Sequence, residues 1–307
     1  MSWGKFVWMN GELVKWEDAK VHVSAGALHY GICVFEGIRA YKTDGNLHVF
    51  RLKDHICRLY NSAKIYWMNI PFNRDELFKA VIETLKSNEI FDDCYIRPIV
   101  FRGNLPAMGA RKTFESPVNV SIIVQLRKRN ILTEAFIKGK RAVISSWRRI
   151  SPDAMPPMAK CAANYANSVL AIMDSIKANV DYAIFLDSRG FVCEGPGQNI
   201  FIVKEGKLIT PPLYSSILEG ITRDTVIRIA RDLNYDVIER DITRSELYTA
   251  EEIFLCGTAC EIAPIVEIDK IKISDKVGEV TKRIASYFLE VVMGKVAKYS
   301  EWLTAVY

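Results

Sequence analysis

DYAIFLDSRGFVCEGPGQNIFIVKEGKLIT occupies residues 181–210. Short runs of β-branched and aromatic residues alternate there with Asp187-Ser188-Arg189-Gly190, Gly195-Pro196-Gly197 and Glu205-Gly206. Such runs, bounded by Gly, Pro, Asp and Ser, read as strands. Strands that follow one another with only a turn between them imply mixed or antiparallel sheets with helices outside, an α+β fold.

Working outward, the C-terminal half continues with the strand YDVIERDI, two short helices after Gly220 and Thr243, the strand EIFLCG and a closing helix from about Gly278. On the N-terminal side, RAVISSW (141–147) reads as a strand and residues 162–177 as a helix. Further back, FVWMNGELVKW (6–16) holds two strand-like runs around Asn10-Gly11, a strong hairpin signal. NLHVFRL (46–52), CYIRPIVF (94–101) and VNVSIIVQL (118–126) are strands. Asp54 is the expected cap of a helix reaching about Trp67, and Asn73 of another, with Leu77, Phe78, Val81, Ile82 and Leu85 on one face. The pattern breaks at QLRKRNILTE (125–134). The expected organisation is a small α+β domain over 1–124, a linker over 125–135 and a larger domain over 136–307.

The chain has 307 residues, half of them hydrophobic and a quarter charged, as in an ordinary globular enzyme. Its 41 basic and 36 acidic residues give +5, spread without a stripe that would point to nucleic acid. No stretch approaches a membrane span or a signal core, so a cytoplasmic location is expected. Seven cysteines include no C-x-x-C pair, and four histidines form no metal-ligand spacing, so neither a disulfide framework nor a metal is expected.

Lys160 stands in PPMAKCAANYANSV (156–169) with no acidic neighbour. A weakly solvated amine can act as a nucleophile, although a surface lysine laying its stem on apolar neighbours is the plainer reading of that window alone. Other segments add to it. Glu194 precedes the Gly195-Pro196-Gly197 turn, Ile221 and Thr222 follow Gly220 at a helix start, and Gly257-Thr258-Ala259 ends a strand. Arg58 lies one helical turn from Asp54. Each also has a bland reading: a loop glutamate, an ordinary cap, a tight turn, an i,i+4 ion pair. Together they supply an amine, a carboxylate, an anion seat and a guanidinium, the set that pyridoxal 5′-phosphate requires. No P-loop or dinucleotide fingerprint favours a nucleotide.

The segments HYGICVFEGIRAY (29–41), RLKDHICRLYNSAKIY (51–66), CYIRPIVFRG (94–103), KCAANYANS (160–168), FLDSRGFVCEGPGQNIF (185–201), SSILEGITRDTVI (215–227) and FLCGTACEIAPI (254–265) resemble the branched-chain amino-acid aminotransferases. These are fold-type IV pyridoxal-phosphate enzymes. The resemblance implies transfer of the amino group of leucine, isoleucine and valine to 2-oxoglutarate, by a homodimer or higher assembly. It makes Lys160 the Schiff-base lysine and acid/base. Tyr165 is implied on the cofactor's phenolic oxygen and Glu194 on its ring nitrogen. Arg58, Ile221, Thr222 and Thr258 are implied on its phosphate. Tyr95, Thr258 and Ala259 would take the substrate α-carboxylate, Phe35 the side chain, and Arg97 the distal carboxylate of glutamate. Tyr30 would arrive from a neighbouring subunit. Many relatives carry Pro-Trp-Gly where this chain has Arg127, Lys128 and Arg129. Those cations are either an exposed linker, with Ile131 or Leu132 supplying the pocket wall, or an inward charge that recruits acidic substrates. Alternatives are another fold-type IV enzyme (a D-amino-acid or R-amine transaminase, or aminodeoxychorismate lyase) or a protein that binds the cofactor without turnover. Tyr95, Arg97 and Gly257-Thr258-Ala259 favour the branched-chain type.

Overall fold

The computed structural model describes residues 2–43 and 45–307. The chain forms two compact units. One runs to Lys128 and adds Ala159–Ala163 and Val292–Tyr307, and the other comprises Arg129–Met158 and Asn164–Val291. The changeover lies at Lys128–Arg129, and two later segments fold with the first unit.

The first unit is built on an antiparallel sheet. Its strands are β1 (Phe6–Met9), β2 (Glu12–Lys15), β3 (Cys33–Phe35), β4 (Ile38–Thr43), β5 (Asn46–Phe50), β6 (Cys94–Arg102), β7 (Val118–Leu126) and, from the far end of the chain, β16 (Leu303–Ala305). They lie in the order β16-β5-β4-β6-β7-β1-β2, with β3 also on β6. Asn10 and Gly11 both take positive φ (52° and 100°), as a two-residue hairpin turn demands.

Helices α2 (Leu52–Ile65) and α3 (Arg74–Ser87) cover one sheet face. Their Leu52, Ile56, Leu59, Leu77, Val81 and Leu85 share a core with Ile38, Cys94, Ile96, Ile122 and Val124. Asn73 caps α3 in a reciprocal capping box with Glu76. Asp54, expected to cap α2, does not: Arg51, in the left-handed region, is the N-cap residue, and Asp54 pairs with its side chain at 2.6 Å from within the first turn. A short α1 (Gly26–Tyr30) precedes β3.

The second unit holds a mixed sheet in the order β12-β11-β10-β13-β14-β8-β9. The strands are β8 (Lys140–Arg148), β9 (Tyr182–Leu186), β10 (Asn199–Lys204), β11 (Lys207–Thr210), β12 (Val237–Glu239), β13 (Glu252–Gly257) and β14 (Glu261–Ile268), with β15 (Ile271–Lys272) on β14. Period-two alternation sends Ile184 and Leu186 of β9 into one core, and Ala183 and Phe185 into another beneath Ala171 of α5 (Ala162–Lys177). FVCEG, expected as a strand, makes only isolated bridges, because the chain turns away at Gly195. α4 (Glu134–Ile137), α6 (Ile221–Asp232), α7 (Arg244–Tyr248) and α8 (Glu279–Val292) complete the unit. α6 is longer than the short helix expected after Gly220. No helix among the described residues is long and apolar enough to cross a membrane.

Candidate active site

The sheet face of the first unit that turns away from α2 and α3 carries Phe35, Tyr95 and Arg97, since their neighbours Val34, Cys94 and Ile96 point into the core. Lys160 is fixed here by its backbone. Its N–H donates to Ser62 Oγ of α2 at 3.0 Å, and its carbonyl accepts from Phe35 N at 3.0 Å. Its Nζ lies 5.1 Å from the centre of the Phe35 ring. The Arg97 guanidinium covers the same ring at 4.4 Å and donates from Nη2 to the Tyr95 hydroxyl at 3.0 Å. Only glycine fits at position 37, where a Cβ would stand 1.9 Å from that hydroxyl. The structure thus brings Lys160, Phe35, Tyr95 and Arg97 together. Tyr30 makes a different contact, its hydroxyl accepting from Gly109 N at 3.1 Å.

Arg58 is not the exposed partner of Asp54. Its Nε and Nη2 grip Glu36 Oε1 and Oε2 at 2.7 and 2.8 Å, and His55 Nδ1 reaches Glu36 Oε2 at 2.7 Å. Glu36 and His55 are both buried. Burial alone would raise the Glu36 carboxyl, but the charge and fork of Arg58 and the His55 hydrogen bond outweigh it and hold the group well below the usual range. Burial pushes His55 the other way, toward neutrality, against the pull of Glu36 and with help from Arg58 and Lys160. His55 therefore donates from Nδ1–H to a carboxylate that can only accept. Sequence reasoning missed Glu36 and His55. The available signal was a lone carboxylate in the apolar run CVFEGI, the same oddity that marked Lys160.

In the second unit Glu194 is 4% exposed and firmly held. Its Oε1 lies 2.9 Å from Arg149 Nε, and its Oε2 accepts from Leu218 N at 3.0 Å and Asn199 Nδ2 at 3.3 Å. Arg149, also buried, was not singled out in the sequence. A Cβ at Gly220 would stand 1.9 Å from Asn199 Oδ1, so glycine is needed at the N-cap of α6. Gly220 has no side chain with which to cap, and Ile221 and Thr222 open the helix behind it. The Gly195–Gly197 turn meets two other elements. The carbonyl of Gly197 lies 3.1 Å from where a Cβ of Gly257 would be, and a Cβ at Gly197 would be 4.0 Å from Tyr165 Cε1. The Gly195–Gly197 turn therefore lies beside Tyr165 and the Gly257 end of β13, while Asn199 lies beside both Glu194 and the Gly220 start of α6. Glu261, buried with φ 59°, accepts from Asn130 N (2.6 Å) and Ile131 N (3.1 Å), tying the linker to the strand that begins beyond this turn.

Each unit, taken by itself, holds donor chemistry that pyridoxal phosphate requires: the first an amine, Lys160, and the second a held carboxylate, Glu194, with the start of α6 near it. The thiols of Cys33 and Cys256 do not compete with the amine as nucleophiles. Burial, with Cys161 adding and Arg97 opposing, pushes Cys33 up to about 12, and burial puts Cys256 well above its ordinary value. Among the described residues no group of histidines, cysteines and carboxylates could hold a metal.

Residues 33–268 match the family model of the class IV amino-transferases. The branched-chain-amino-acid aminotransferase of Escherichia coli K12 is 40% identical over 302 residues, 98% of this chain and 97% of that protein. Among solved structures, the branched-chain aminotransferase of Thermoproteus uzoniensis with norvaline superposes with a TM-score of 0.93 at 44% identity, over 99% of this chain and 100% of that one. The Thermobaculum terrenum branched-chain amino acid aminotransferase in its PLP holo-form gives 0.92 at 36%, over 100% of each. The chain belongs to the class IV aminotransferases and, within that class, to the branched-chain-amino-acid aminotransferases.

Proposed function

We propose that this protein is a pyridoxal-phosphate transaminase that moves the amino group of leucine, isoleucine and valine to 2-oxoglutarate. The observation that carries the reading is the placement of Lys160 against an aromatic ring that Arg97 also covers. An apolar wall and a cation at one amine suit a site that must take both an aliphatic side chain and glutamate. A buried carboxylate without a partner costs several kcal/mol, so the second substrate needs that cation.

Lys160 would hold the cofactor through Nζ. Glu194, itself fixed by Arg149, Asn199 and Leu218, would accept from the ring nitrogen, and Tyr165 would donate to the phenolic oxygen. Arg58, the amides of Ile221 and Thr222, and the hydroxyls of Thr222 and Thr258 would hold the phosphate. Bound there, pyridoxal phosphate supplies an aldehyde for the substrate amine and a protonated ring that accepts the electron pair left at Cα. The Lys160 amine would take the Cα proton. Tyr95 and the Thr258–Ala259 turn orient the α-carboxylate, Phe35 packs the aliphatic side chain, and Arg97 receives the distal carboxylate. Tyr30 would serve the site of a second copy in a homodimer or larger assembly, and we place the enzyme in the cytoplasm.

A panel of L- and D-amino acids, followed through the cofactor's absorbance, tests this. L-leucine, L-isoleucine and L-valine should react fastest apart from L-glutamate. Faster reaction with D-amino acids would move the protein to another fold-type IV activity.

A further inference from the structure

The alternation that buries Ile122 and Val124 places Ile123 and Gln125 on the opposite face, paired with Arg97 and Tyr95, and Arg127 follows them just past the end of β7. The backbone of Arg127 is pinned on both sides. Its N–H donates to Asp93 O at 2.9 Å, and its carbonyl accepts from Nη2 of the buried Arg39 at 3.0 Å. Its half-buried side chain lies against Tyr95, the guanidinium carbon 5.6 Å from the ring centre. Arg97 approaches the same ring at 5.3 Å while binding its hydroxyl. Two guanidinium groups thus lie near one phenol ring. Among the described residues neither makes an ion pair with a carboxylate, and Nε of Arg97 is buried without a hydrogen-bond partner. Glu36, one residue beyond Phe35, is committed to Arg58 and His55. Two like charges on a partly dry surface repel each other, and an anion between them reverses that cost.

We propose that Arg127 is a specificity-determining residue that joins Arg97 in gripping the distal carboxylate of glutamate or its 2-oxo acid. The proposal rests on the transaminase reading above and deepens it. Arg97 alone would give a point of attachment, whereas a pair of forks can bind both carboxylate oxygens and reject a neutral side chain of similar length.

The test uses the holoenzyme in single half-reactions with L-leucine and L-glutamate separately, comparing the unsubstituted chain with Arg127→Gln, Arg127→Lys and, as a control, Lys128→Gln at an exposed neighbour. Arg127→Gln should lower the specificity constant for glutamate about tenfold or more while leucine stays within about twofold, the scale set by losing one charged contact. Arg127→Lys should recover part of the loss, and Lys128→Gln should change neither substrate. Binding supplies a second readout: glutarate titrated into the holoenzyme should weaken about tenfold in Arg127→Gln, and 4-methylvalerate should not. Unchanged glutamate and glutarate constants would overturn the proposal. So would equal losses for leucine and glutamate, since Arg127 would then merely support Tyr95. Failure of the unsubstituted chain to take up pyridoxal phosphate would sink the transaminase reading and this proposal with it.

Discussion

Lys160 is positioned by two main-chain hydrogen bonds, to Ser62 and from Phe35, that a substitution of its side chain leaves in place. Lys160→Ala should therefore keep the melting temperature nearly unchanged while turnover falls by about 10²–10⁴, the usual share of a general acid/base. Turnover within about tenfold of the unsubstituted enzyme would refute the assigned role. Glu194 differs, because its proposed hold on the ring nitrogen falls on a residue that is also half of a buried ion pair. Glu194→Gln leaves the Arg149 guanidinium buried without its counter-charge, a loss of about 3–5 kcal/mol, and should lower the melting temperature together with activity. Arg149→Gln combined with Glu194→Gln should restore much of the melting temperature and none of the activity, as calorimetry beside the half-reaction would show. Lys160 and Glu194 were singled out in the sequence because each is a local oddity: a lone charge in small or apolar company, or beside a Gly-Pro-Gly turn. Arg149 and His55 were not, because their meaning comes from a partner brought close only by folding. Glu36 is 19 residues from His55 and 22 from Arg58.

Among elements, strands with alternating faces and helices with a reciprocal cap were the readable ones. The hairpin at Asn10-Gly11 and the cap at Asn73 follow from local chemistry alone. Asp54 was misread because Arg51, in a left-handed conformation, opens α2 one turn earlier, supported by Trp302 from the far end of the chain: Arg51 N donates to Trp302 O at 2.6 Å. The α6 start offers a test at this scale. Gly220→Ala would press a methyl group against Asn199, which also holds Glu194 and Leu218, and overpacking of this kind costs about 1–3 kcal/mol. The expected outcome is a weaker hold on pyridoxal phosphate, read by equilibrium dialysis, with the first unit's thermal transition unaffected. Undiminished cofactor affinity would show that the α6 amides are not part of its seat.

At the level of the molecule, acid should strike the first unit through its buried Glu36–His55–Arg58 cluster. The Glu36 carboxyl is held below its ordinary 4.5, so its stabilisation is present above that value and lost as pH falls through the lowered one. His55 is held below its ordinary 6.5, so under that pH the unfolded chain takes up a proton that the folded one refuses. Both signs agree: the first unit's melting temperature should fall steadily from about pH 6.5 downward. Glu36→Gln should lower it already at neutral pH, because Arg58 loses its counter-charge. A calorimetric melting temperature that stays flat from neutrality down to pH 4.5 would contradict this sign. The sequence offered a break over 125–134 as its linker, but nothing in it marked 159–163 and 292–307 as part of the first unit, since no local pattern marks a segment that returns. β16 pairs with β5 at the sheet's edge, and Val306 sits in the first core. During translation, then, the earlier lobe's sheet stays incomplete until residues 303–305 have been made, and until that moment β5 is a bare edge open to misassembly with neighbouring nascent chains.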